Sequence, residues 1–512
     1  MPKAQKKVAA PGFFTVAPIR NERKFLRFRV NWRYKMNKHF TINILSLLSI
    51  VFAMAIPIST NAATYLDGAT IGCSNGNTNY NPSTRSCSGG NDTVYFDLAT
   101  FSANLAPSAT NYIRAGSYFR DNSTGSLYVG SAKAGTADRY TIIRAYPGEE
   151  RQAIIGTAKR GATYNSNPTD STGAGSWNYY PNVAIRVEAP YVMIEGIKTY
   201  GPLETNGATK IQIRDCDLGG GGLSQCAVIR LENLTDALVF NNLIHNSCLA
   251  SDGASNGPGI IFYNANAVVS QNTFYDNYSA DVFTKDSGSG AAGKTTEISF
   301  NFFKPSTIRA ESNPGVMGHN QDVQIAQLLI HHNIFLGKLS GFAVWLTPPA
   351  TKFYNNTLVN CGTDIDNSSG GGAHPVISNN NLFYHSTSQN FALLYTETYS
   401  DYLKESDNNL FFADGSKWGK SAPGALTWAI NLSDWKSRSN LDIKSITANP
   451  SFVNASGKTP EDFKRTSYVE SFTNSSYSTR AGAYETGKET IGFTTTVGSS
   501  GVTPPSGVRV IK

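Results

Sequence analysis

The sequence predicts an all-β fold, a solenoid of the parallel β-helix type, and two observations support this prediction. The first is a phrase of one or two polar residues, an asparagine and two mostly apolar residues, which recurs along the chain. The second is its spacing, because successive anchor asparagines are 30, 29, 32, 23, 25 and 28 residues apart. A repeat of this length, with a short apolar strand in each copy, is typical of a solenoid. The anchors are Asn242, Asn272, Asn301, Asn333, Asn356, Asn381 and Asn409.

Each anchor asparagine is expected to lie at a turn and to hydrogen-bond the asparagines of the coils above and below, as in stacked amide ladders. Asn449 begins a degenerate last copy of the phrase. Short strands separated by single polar turns favour coils with three short faces. A β-propeller or a sandwich is the alternative, but propeller repeats are usually longer and contain four strands each.

The N terminus differs in charge and hydropathy from the rest of the chain. Residues 1–40 contain eleven Lys or Arg and one Glu, and residues 41–62 contain no charged side chain. A basic stretch, an apolar stretch and small residues near Ala62 predict an export signal in residues 1–62, with Met36 as an alternative start. A membrane anchor is the alternative, which the helix-breaking Pro57 disfavours.

The remaining chain is close to neutral. Of the 44 basic and 37 acidic residues, 33 and 36 lie outside the leader, so the basic isoelectric point does not indicate a nucleic-acid partner. We expect a secreted or periplasmic monomer with no membrane span after removal of the signal.

The six cysteines agree with export. Cys73 and Cys87 bracket a polar loop and are expected to form a disulfide. Cys216, Cys226 and Cys248 lie on neighbouring coils, where one pair can form a bridge. The sequence alone does not decide the connectivity, and no Cys-x-x-Cys spacing indicates a metal site.

The domain boundaries follow from where the repeat begins and ends. We expect an N-terminal cap and first coils in residues 64–182, and regular coils with the functional face in residues 183–452. A closing strand at residues 481–485 and a flexible tail are expected within residues 453–512. The one helix of any length is expected near residues 426–437.

Aligning the coils on the anchor asparagines places Tyr263, Lys285 and His319 in one column on three successive coils. Adjacent coils are about 4.8 Å apart, so three side chains that can transfer protons are expected to line one face. Insertions follow Lys285 and occupy residues 306–314. Because the core of a solenoid cannot accept insertions, these segments are expected to wall a groove.

The coil phrases over residues 183–452 resemble the right-handed parallel β-helix polysaccharide lyases, which include chondroitinase B, related alginate lyases and, more distantly, pectate lyases. The run Thr284-Lys285-Asp286-Ser287-Gly288 is similar to the place where chondroitinase-B-like lyases carry a lysine base. Those enzymes have an Arg-His pair on a following coil, where this chain has Gly318-His319, so Arg309 is the candidate for the arginine role. The resemblance implies β-elimination on an anionic uronate polysaccharide, with alginate favoured over pectate or a glycosaminoglycan.

This chemistry assigns roles to named residues. Lys285 is the favoured base, His319 and Tyr263 are supporting acid or base groups, and either Arg309 or Ca²⁺ neutralises the substrate carboxylate. The candidate Ca²⁺ ligands are Asp281, Asp286 and Glu311. The candidate substrate-binding residues are Arg230, Asn264, Asn320 and Trp345.

Structural interpretations compete with several of these roles. Arg230 and Glu232 can form a stacked ion pair with Arg186 and Glu188 one or two coils away. Tyr263 can be a packing residue of its strand, and Trp345 can be a core residue. A glycoside hydrolase or a uronate epimerase on the same fold is the alternative enzyme. No clear pair of acids for hydrolysis is present in the sequence. A carbohydrate-binding or adhesin solenoid without catalysis is the alternative outside enzymes.

Overall fold

The computed structural model describes residues 62–120, 125–156, 183–220, 227–247, 257–286, 292–306, 313–320, 326–346, 350–369, 376–386, 392–396, 403–413, 429–473 and 475–495. Within these ranges the description covers only the backbone of Asp286, His319, Asn320, 344–346, 367–369, 392–396 and Ala413. The chain divides into two units, residues 1–60 and 61–512, and all described residues belong to the second. The predicted leader up to residue 61 therefore lies outside the described residues.

The described residues form mostly short strands. The first half of the chain contains β1 (Thr64–Leu66), β2 (Asn77–Tyr80), β3 (Asp92–Tyr95), β4 (Thr110–Ile113), β5 (Gly116–Phe119), β6 (Leu127–Val129), β7 (Thr141–Ala145), β8 (Ala153–Gly156), β9 (Ile185–Val187), β10 (Val192–Glu195), β11 (Lys198–Tyr200), β12 (Leu203–Asn206), β13 (Gln212–Arg214), β14 (Asp217–Gly219), β15 (Ile229–Phe240), β16 (Leu243–His245) and β17 (Ile260–Ser270). The second half contains β18 (Thr273–Tyr275), β19 (Val282–Asp286), β20 (Thr295–Ser299), β21 (Phe302–Phe303), β22 (Val316–Asn320), β23 (Gln327–His331), β24 (Ile334–Leu336), β25 (Ser340–Leu346), β26 (Ala350–Tyr354), β27 (Thr357–Val359), β28 (Thr363–Ser369), β29 (Val376–Asn379), β30 (Leu382–His385), β31 (Ala392–Thr396), β32 (Leu403–Asp407), β33 (Leu410–Ala413) and β34 (Ile446–Thr447).

Helices are few and short among the described residues. The α-helices are α1 (Leu98–Ala103) and α2 (Leu432–Ser439), and the 3-10 helices are Ser131–Lys133 and Pro460–Phe463. Helix α2 confirms the predicted helix, shifted towards the C terminus, because Asn431 caps its first turn by accepting from the backbone N–H of Asp434. Across the described ranges, no helix has both the length and the apolar character needed to cross a membrane.

The strands stack into three parallel faces, which confirms the predicted parallel β-helix. The first sheet follows the order β6, β9, β12, β15, β17, β19, β22, β25, β28 and β31. The second sheet runs β1, β4, β7, β10, β13, β15, β17, β20, β23, β26, β29 and β32. The long strands β15 and β17 take part in both. The third sheet has 12 strands, from β5 to β34.

A residue in the left-handed backbone conformation precedes each anchor asparagine. Across the seven anchors, the φ of this preceding residue lies between 51° (Asn355) and 57° (Phe300). Asparagine adopts this conformation more readily than other non-glycine residues, which explains why the repeated phrase usually begins with a polar residue. The turn from the second to the third sheet therefore imposes the sequence pattern from which the fold was predicted.

The anchor asparagines form the predicted ladder inside the solenoid. From Asn242 to Asn409, each Nδ2 donates to the Oδ1 of the next anchor at 2.9 to 3.4 Å. The same Oδ1 also accepts the backbone N–H of the preceding anchor. The second Nδ2 proton goes to a backbone carbonyl, as from Asn301 to Val269 at 2.9 Å. All anchors are fully buried, and this complete set of partners removes the cost of burying an amide.

The ladder ends differently from the prediction. At its C-terminal end, the Asn409 Nδ2 donates to Asp442 Oδ1 and its backbone N–H to Ser445 Oγ, both at 2.8 Å. Ser445, which lies directly before β34, thus takes the position of the next anchor in the ladder. The assignment of Asn449 as a last copy is wrong, because Asn449 is exposed and its Oδ1 accepts the N–H of Ser451.

The C-terminal segment returns along the row of turns as a strap, residues 475–495. Its backbone bonds Asn380 through the N–H of Gly482, and Asn241 through the N–H of Thr494, both at 2.8 Å. Apolar side chains of the strap pack against the outer faces of Leu382 and Phe302. Residues 481–485, where the sequence predicts a closing strand, form no β-ladder, because the N–H of Gly482 bonds to the Asn380 carbonyl and that of Ala483 to Thr357 Oγ1.

The disulfide between Cys73 and Cys87 is confirmed. Cys216 is a buried free thiol whose Sγ lies 3.0 Å from the carbonyl of Arg214, and burial raises its pKa to about 12. The predicted bridge among the coil cysteines therefore does not include Cys216. Cys226 and Cys248 lie outside the described residues.

We expect Asn301→Ala to lower the free energy of unfolding by about 3 kcal/mol, because it leaves the buried N–H and Nδ2 of Asn272 without their acceptor. Urea unfolding of the two proteins measures the difference. Asn449→Ala is the matched control and should change stability by no more than about 0.5 kcal/mol. Equal losses in the two variants would show that the ladder contributes nothing specific.

The carboxylate of Asp217, on the third sheet, gives a second test of what stabilises the fold. Asp217 accepts from Lys198 Nζ at 2.9 Å and pairs with His245 Nε2 at 2.7 Å, and His245 stacks on Tyr275. Burial opposes ionisation of Asp217, but the bonds from His245 and Lys198 prevail and lower its pKa from 3.8 to about 2. Ionised Asp217 therefore stabilises the fold above its ordinary pKa, and this contribution is lost as the pH falls through the lowered pKa.

We expect Asp217→Asn to cost about 2 kcal/mol of stability at neutral pH, about 0.4 kcal/mol near pH 2 and almost none at lower pH. Thermal midpoints of both proteins across the acid range provide the measurement. A difference in midpoint that persists in strong acid would mean that the carboxylate charge is not its source.

Candidate active site

The first sheet brings three of the four predicted catalytic residues into one column. Lys285 lies opposite His319, and His319 lies opposite Trp345. On the preceding strands, Tyr263 lies opposite Glu232. These five positions are called the Lys285 column, and neighbours in it are about 4.8 Å apart. The predicted alignment of Tyr263, Lys285 and His319 is therefore confirmed, and Trp345 continues the same column.

Tyr263 and Lys285 are neighbours across β17 and β19. The Lys285 Nζ lies 5.8 Å from the centre of the Tyr263 ring. The Tyr263 hydroxyl is buried and has no hydrogen-bond partner among the described residues. Burial raises the pKa of Tyr263 to about 12, although Arg230 acts in the opposite direction. Tyr263 therefore keeps its proton at neutral pH.

Arg230 lies at the edge of this site. Its guanidinium is 5.0 Å from the centre of the Tyr263 ring and forms a 2.8 Å ion pair with Glu232. One strand earlier, Glu204 lies opposite Arg230 and pairs with Arg186 at 2.9 Å. These contacts agree with the ion-pair interpretation of Arg230, and they hold its side chain against Tyr263.

Asn264 belongs to a second, exposed amide ladder. Its Nδ2 donates to Asn233 Oδ1 at 2.9 Å, and Asn233 donates to Asn206 at 3.2 Å. Both Asn264 and Asn233 have a left-handed backbone, with φ of 50°. The amide predicted to bind substrate therefore also stabilises the turn that ends the first sheet.

An apolar row runs beside the Lys285 column. Ile261, Phe283 and Met317 lie opposite one another on three strands. They alternate with the inward-facing residues of the same strands, yet they are 0%, 1% and 8% exposed. The polar groups of the column therefore lie next to a surface from which water is excluded, and charges there interact more strongly than in water.

Asp281 does not fit the predicted role of a calcium ligand. Its Oδ2 lies 2.5 Å from the Lys338 Nζ, and the two side chains are 1% and 3% exposed. Its Oδ1 accepts from Asn277 Nδ2 at 3.0 Å. Burial raises the pKa of Asp281, and Lys338 opposes this effect. The carboxylate is thus held in a buried ion pair, which leaves it no access to an ion from solvent.

The other predicted metal and binding groups are described only in part. Among the described side chains, no three His, Cys, Asp or Glu residues are grouped as a metal site requires. Asp286 and Asn320 are placed by their backbone at the ends of β19 and β22, where they lie opposite each other. Arg309 and Glu311 lie outside the described residues.

Two features were missed in the sequence. Glu232 is not among the predicted site residues, yet the sequence places it in the column, because Asn233 follows it as Asn264 follows Tyr263. The second missed feature is the contact between His385 and Asp364. The His385 Nε2 and the Asp364 Oδ2 are 2.7 Å apart, and both side chains are almost fully buried. No sequence signal connects these two residues, because their contact depends on the coil geometry.

Solved structures similar to this chain include lyases and a hydrolase. Pectate lyase Pel9A is 12% identical, with a TM-score of 0.46 over 84% of this chain and 97% of that chain. An alginate lyase from Paenibacillus sp. FPU-7 is 15% identical, with a TM-score of 0.35 over 55% and 89%. The GH136 lacto-N-biosidase from Eubacterium ramulus is 10% identical, with a TM-score of 0.38 over 75% and 67%. No family model matches the chain, and no curated protein matches it.

We expect Lys338→Met to destabilise the protein by about 4 kcal/mol, because it leaves the Asp281 carboxylate buried without a counter-charge. Chemical unfolding measures the loss, and Lys404→Met, at an exposed strand position, is the control. The double variant Lys338→Met with Asp281→Leu should recover most of the loss. If Ca²⁺ stabilises the wild type and Asp281→Asn abolishes that effect, Asp281 is a metal ligand after all.

Proposed function

We propose that the protein is a polysaccharide lyase that cleaves a uronate-containing polysaccharide, with alginate as the first candidate, by β-elimination at the Lys285 column. The observation that supports this proposal is the placement of Lys285 between Tyr263 and the backbone position of His319 on three adjacent strands. An elimination needs a base and an acid within reach of one sugar unit, and adjacent strands supply such a spacing.

The reaction needs two proton transfers, one from the substrate to a base and one from an acid to the leaving oxygen. The base removes the proton from the carbon next to the uronate carboxylate, and the released electron pair forms a carbon–carbon double bond. The bond from the adjacent carbon to the glycosidic oxygen then breaks, and that oxygen takes a proton from the acid. Lys285, as a neutral amine, is the proposed base, and His319 is the proposed supporting group.

Tyr263 is the proposed acid. Its raised pKa keeps the hydroxyl protonated, and this hydroxyl has no acceptor among the described residues, so its proton can go to the leaving oxygen. Arg230, paired with Glu232, lies against the ring and fixes its position. The ion pair thus contributes to the orientation of the acid and does not itself need to touch the sugar.

A positive group must also neutralise the substrate carboxylate. Arg309 is the proposed group, and Ca²⁺ held by Asp286 and Glu311 is the alternative. Asp281 is left out of this site because Lys338 occupies its carboxylate. Trp345 and Asn320, on the strands that follow Lys285, are proposed to bind neighbouring sugar units by stacking and hydrogen bonding.

Hydrolysis is less compatible with the described side chains. A glycoside hydrolase needs two carboxyl groups about 5 to 9.5 Å apart on either side of the bond that is cleaved. Of the described side chains in the Lys285 column, Glu232 is the one carboxylate, and Arg230 neutralises it. An amine and a phenol without a second acid favour elimination.

Export is part of the same proposal. The basic and apolar leader predicts secretion, and the Cys73–Cys87 disulfide is of a kind that persists in oxidising compartments. A polymer too large to enter the cell would then meet the enzyme outside the cytoplasm.

The test is to incubate the protein with alginate, pectate and chondroitin and to follow the ultraviolet absorbance of the unsaturated product. We expect Lys285→Ala to lower the rate by about a hundredfold or more, because no other described group of the column supplies an amine base. Lys404→Ala, which removes an exposed lysine from the second sheet, should retain the wild-type rate.

The outcomes separate the parts of the proposal. If no polymer yields the unsaturated product, the lyase function is wrong. If a polymer is cleaved but Lys285→Ala retains full activity, the reaction is right and the site is wrong. Loss of activity in a chelator, with recovery in Ca²⁺, would favour the metal over Arg309 as the neutralising group.

A further inference from the structure

A cleft of about 440 Å³ opens at the N-terminal end of the solenoid, away from the Lys285 column. Four segments build it: helix α1, the residue after β5, strand β6 and the 3-10 helix Ser131–Lys133. Its volume lies in the range of clefts that hold small ligands. The lining residues are Ala99, Ser102, Ala103, Arg120, Tyr128, Gly130, Ser131, Ala132 and Lys133.

Tyr128 forms a fixed aromatic wall of this cleft. Its hydroxyl donates to Glu188 Oε2 at 2.7 Å, and its backbone N–H donates to Ser102 Oγ at 3.2 Å. The ring lies directly over Gly130, where an added Cβ would be 2.8 Å from the ring carbon Cε1. Glycine at this position is therefore needed for the ring to lie where it does, and a fixed ring is a suitable platform for a sugar.

Of the described residues that line the cleft, two are cations and none is a carboxylate. The Arg120 guanidinium makes no hydrogen bond or ion pair with any described residue, although it is partly buried. The Lys133 Nζ donates to the carbonyls of Ala103 and Leu105 at 2.8 and 3.1 Å, so the charge is held at the end of helix α1. The nearby carboxylate of Glu188 is occupied by the Tyr128 hydroxyl. The lining thus selects for an anion that also has a flat face.

The cleft and the Lys285 column lie on the same sheet. An unbroken register connects Tyr128 to Arg186, Glu204, Arg230, Ile261 and Phe283 across β6, β9, β12, β15, β17 and β19. Phe283 is two residues before Lys285 on the same strand. Five strand spacings of about 4.8 Å place the two sites roughly 24 Å apart on one face.

We propose that this cleft is an accessory binding site for a carboxylated sugar unit, with Arg120 binding the carboxylate and Tyr128 stacking on the ring. A guanidinium binds a carboxylate through two parallel hydrogen bonds, and Ser102, Ser131 and Lys133 are placed for the sugar hydroxyls. The inference rests on the proposed uronate substrate. A chain long enough to occupy both sites would bind more tightly than a short one, because its second contact is intramolecular.

Calorimetric titration with short and long saturated oligouronides tests this proposal. The titrations use the Lys285→Ala variant as the parent protein, so that the ligands are not cleaved during the measurement. We expect Arg120→Gln to weaken binding of the long oligomers at least about tenfold, because it removes a charge-assisted contact. Tyr128→Leu should have a similar effect through the loss of stacking. Arg139→Gln, which removes the same charge from an exposed residue outside the cleft, should bind as the parent does.

The outcomes distinguish this inference from the proposed reaction. If oligouronides bind in an Arg120-dependent way but no polymer is cleaved by the wild type, the site stands and the lyase function fails. If polymers are cleaved but Arg120→Gln and Tyr128→Leu bind oligouronides as the parent does, the accessory site is overturned. Equal binding of neutral oligosaccharides of the same length would also overturn it, because the cations would then play no part.

Discussion

The buried row of asparagine amides is the constraint on which the rest of the structure depends. Each Oδ1 accepts from both the side chain and the backbone of the preceding anchor, so a shift of one residue between two coils would break two buried bonds at once. A one-residue slip would also turn the buried hydrophobic side chains of a strand to its opposite face, so the packing and the ladder specify the same register. The ladder therefore fixes the register inside the solenoid, and the columns on the outer faces follow from it.

The same turns also explain how the C terminus is held. A left-handed residue before each anchor directs its side chain away from the core, and the side chains of Asn241, Asn355 and Asn380 bond to the strap. His332 extends this contact to Glu485 at 3.0 Å. The turn residues satisfy a local backbone requirement and at the same time provide the docking surface for residues 475–495. One sequence pattern thus determines both the conformation of the turns and the attachment of the C-terminal strap.

The ladder and the column could be predicted because both depend on spacing, which a single sequence contains. The last position of the ladder could not be predicted, because Ser445 and Asp442 replace the asparagine there with other oxygen acceptors. They leave no recognisable copy of the repeated phrase in the sequence. The misassignment of Asp281 has another cause. Its carboxylate resembles a calcium ligand in sequence, and only the coil geometry shows that it is buried against Lys338. Burial and long-range pairing are the properties that periodicity does not report.

The outer face of the first sheet changes character along its length, and this change coincides with the proposed active site. Towards the N terminus, Arg186–Glu204 and Arg230–Glu232 compensate each other in ion pairs. At β17 and β19 the row that contains Arg186, Glu204 and Arg230 becomes apolar, with Ile261 and Phe283 almost completely buried. The Lys285 column lies beside this apolar row, so its groups act where water screens charge least. In the proposed reaction, a uronate carboxylate would therefore be attracted more strongly here than over the compensated coils, which separates the proposed reactive part of the face from its supporting part.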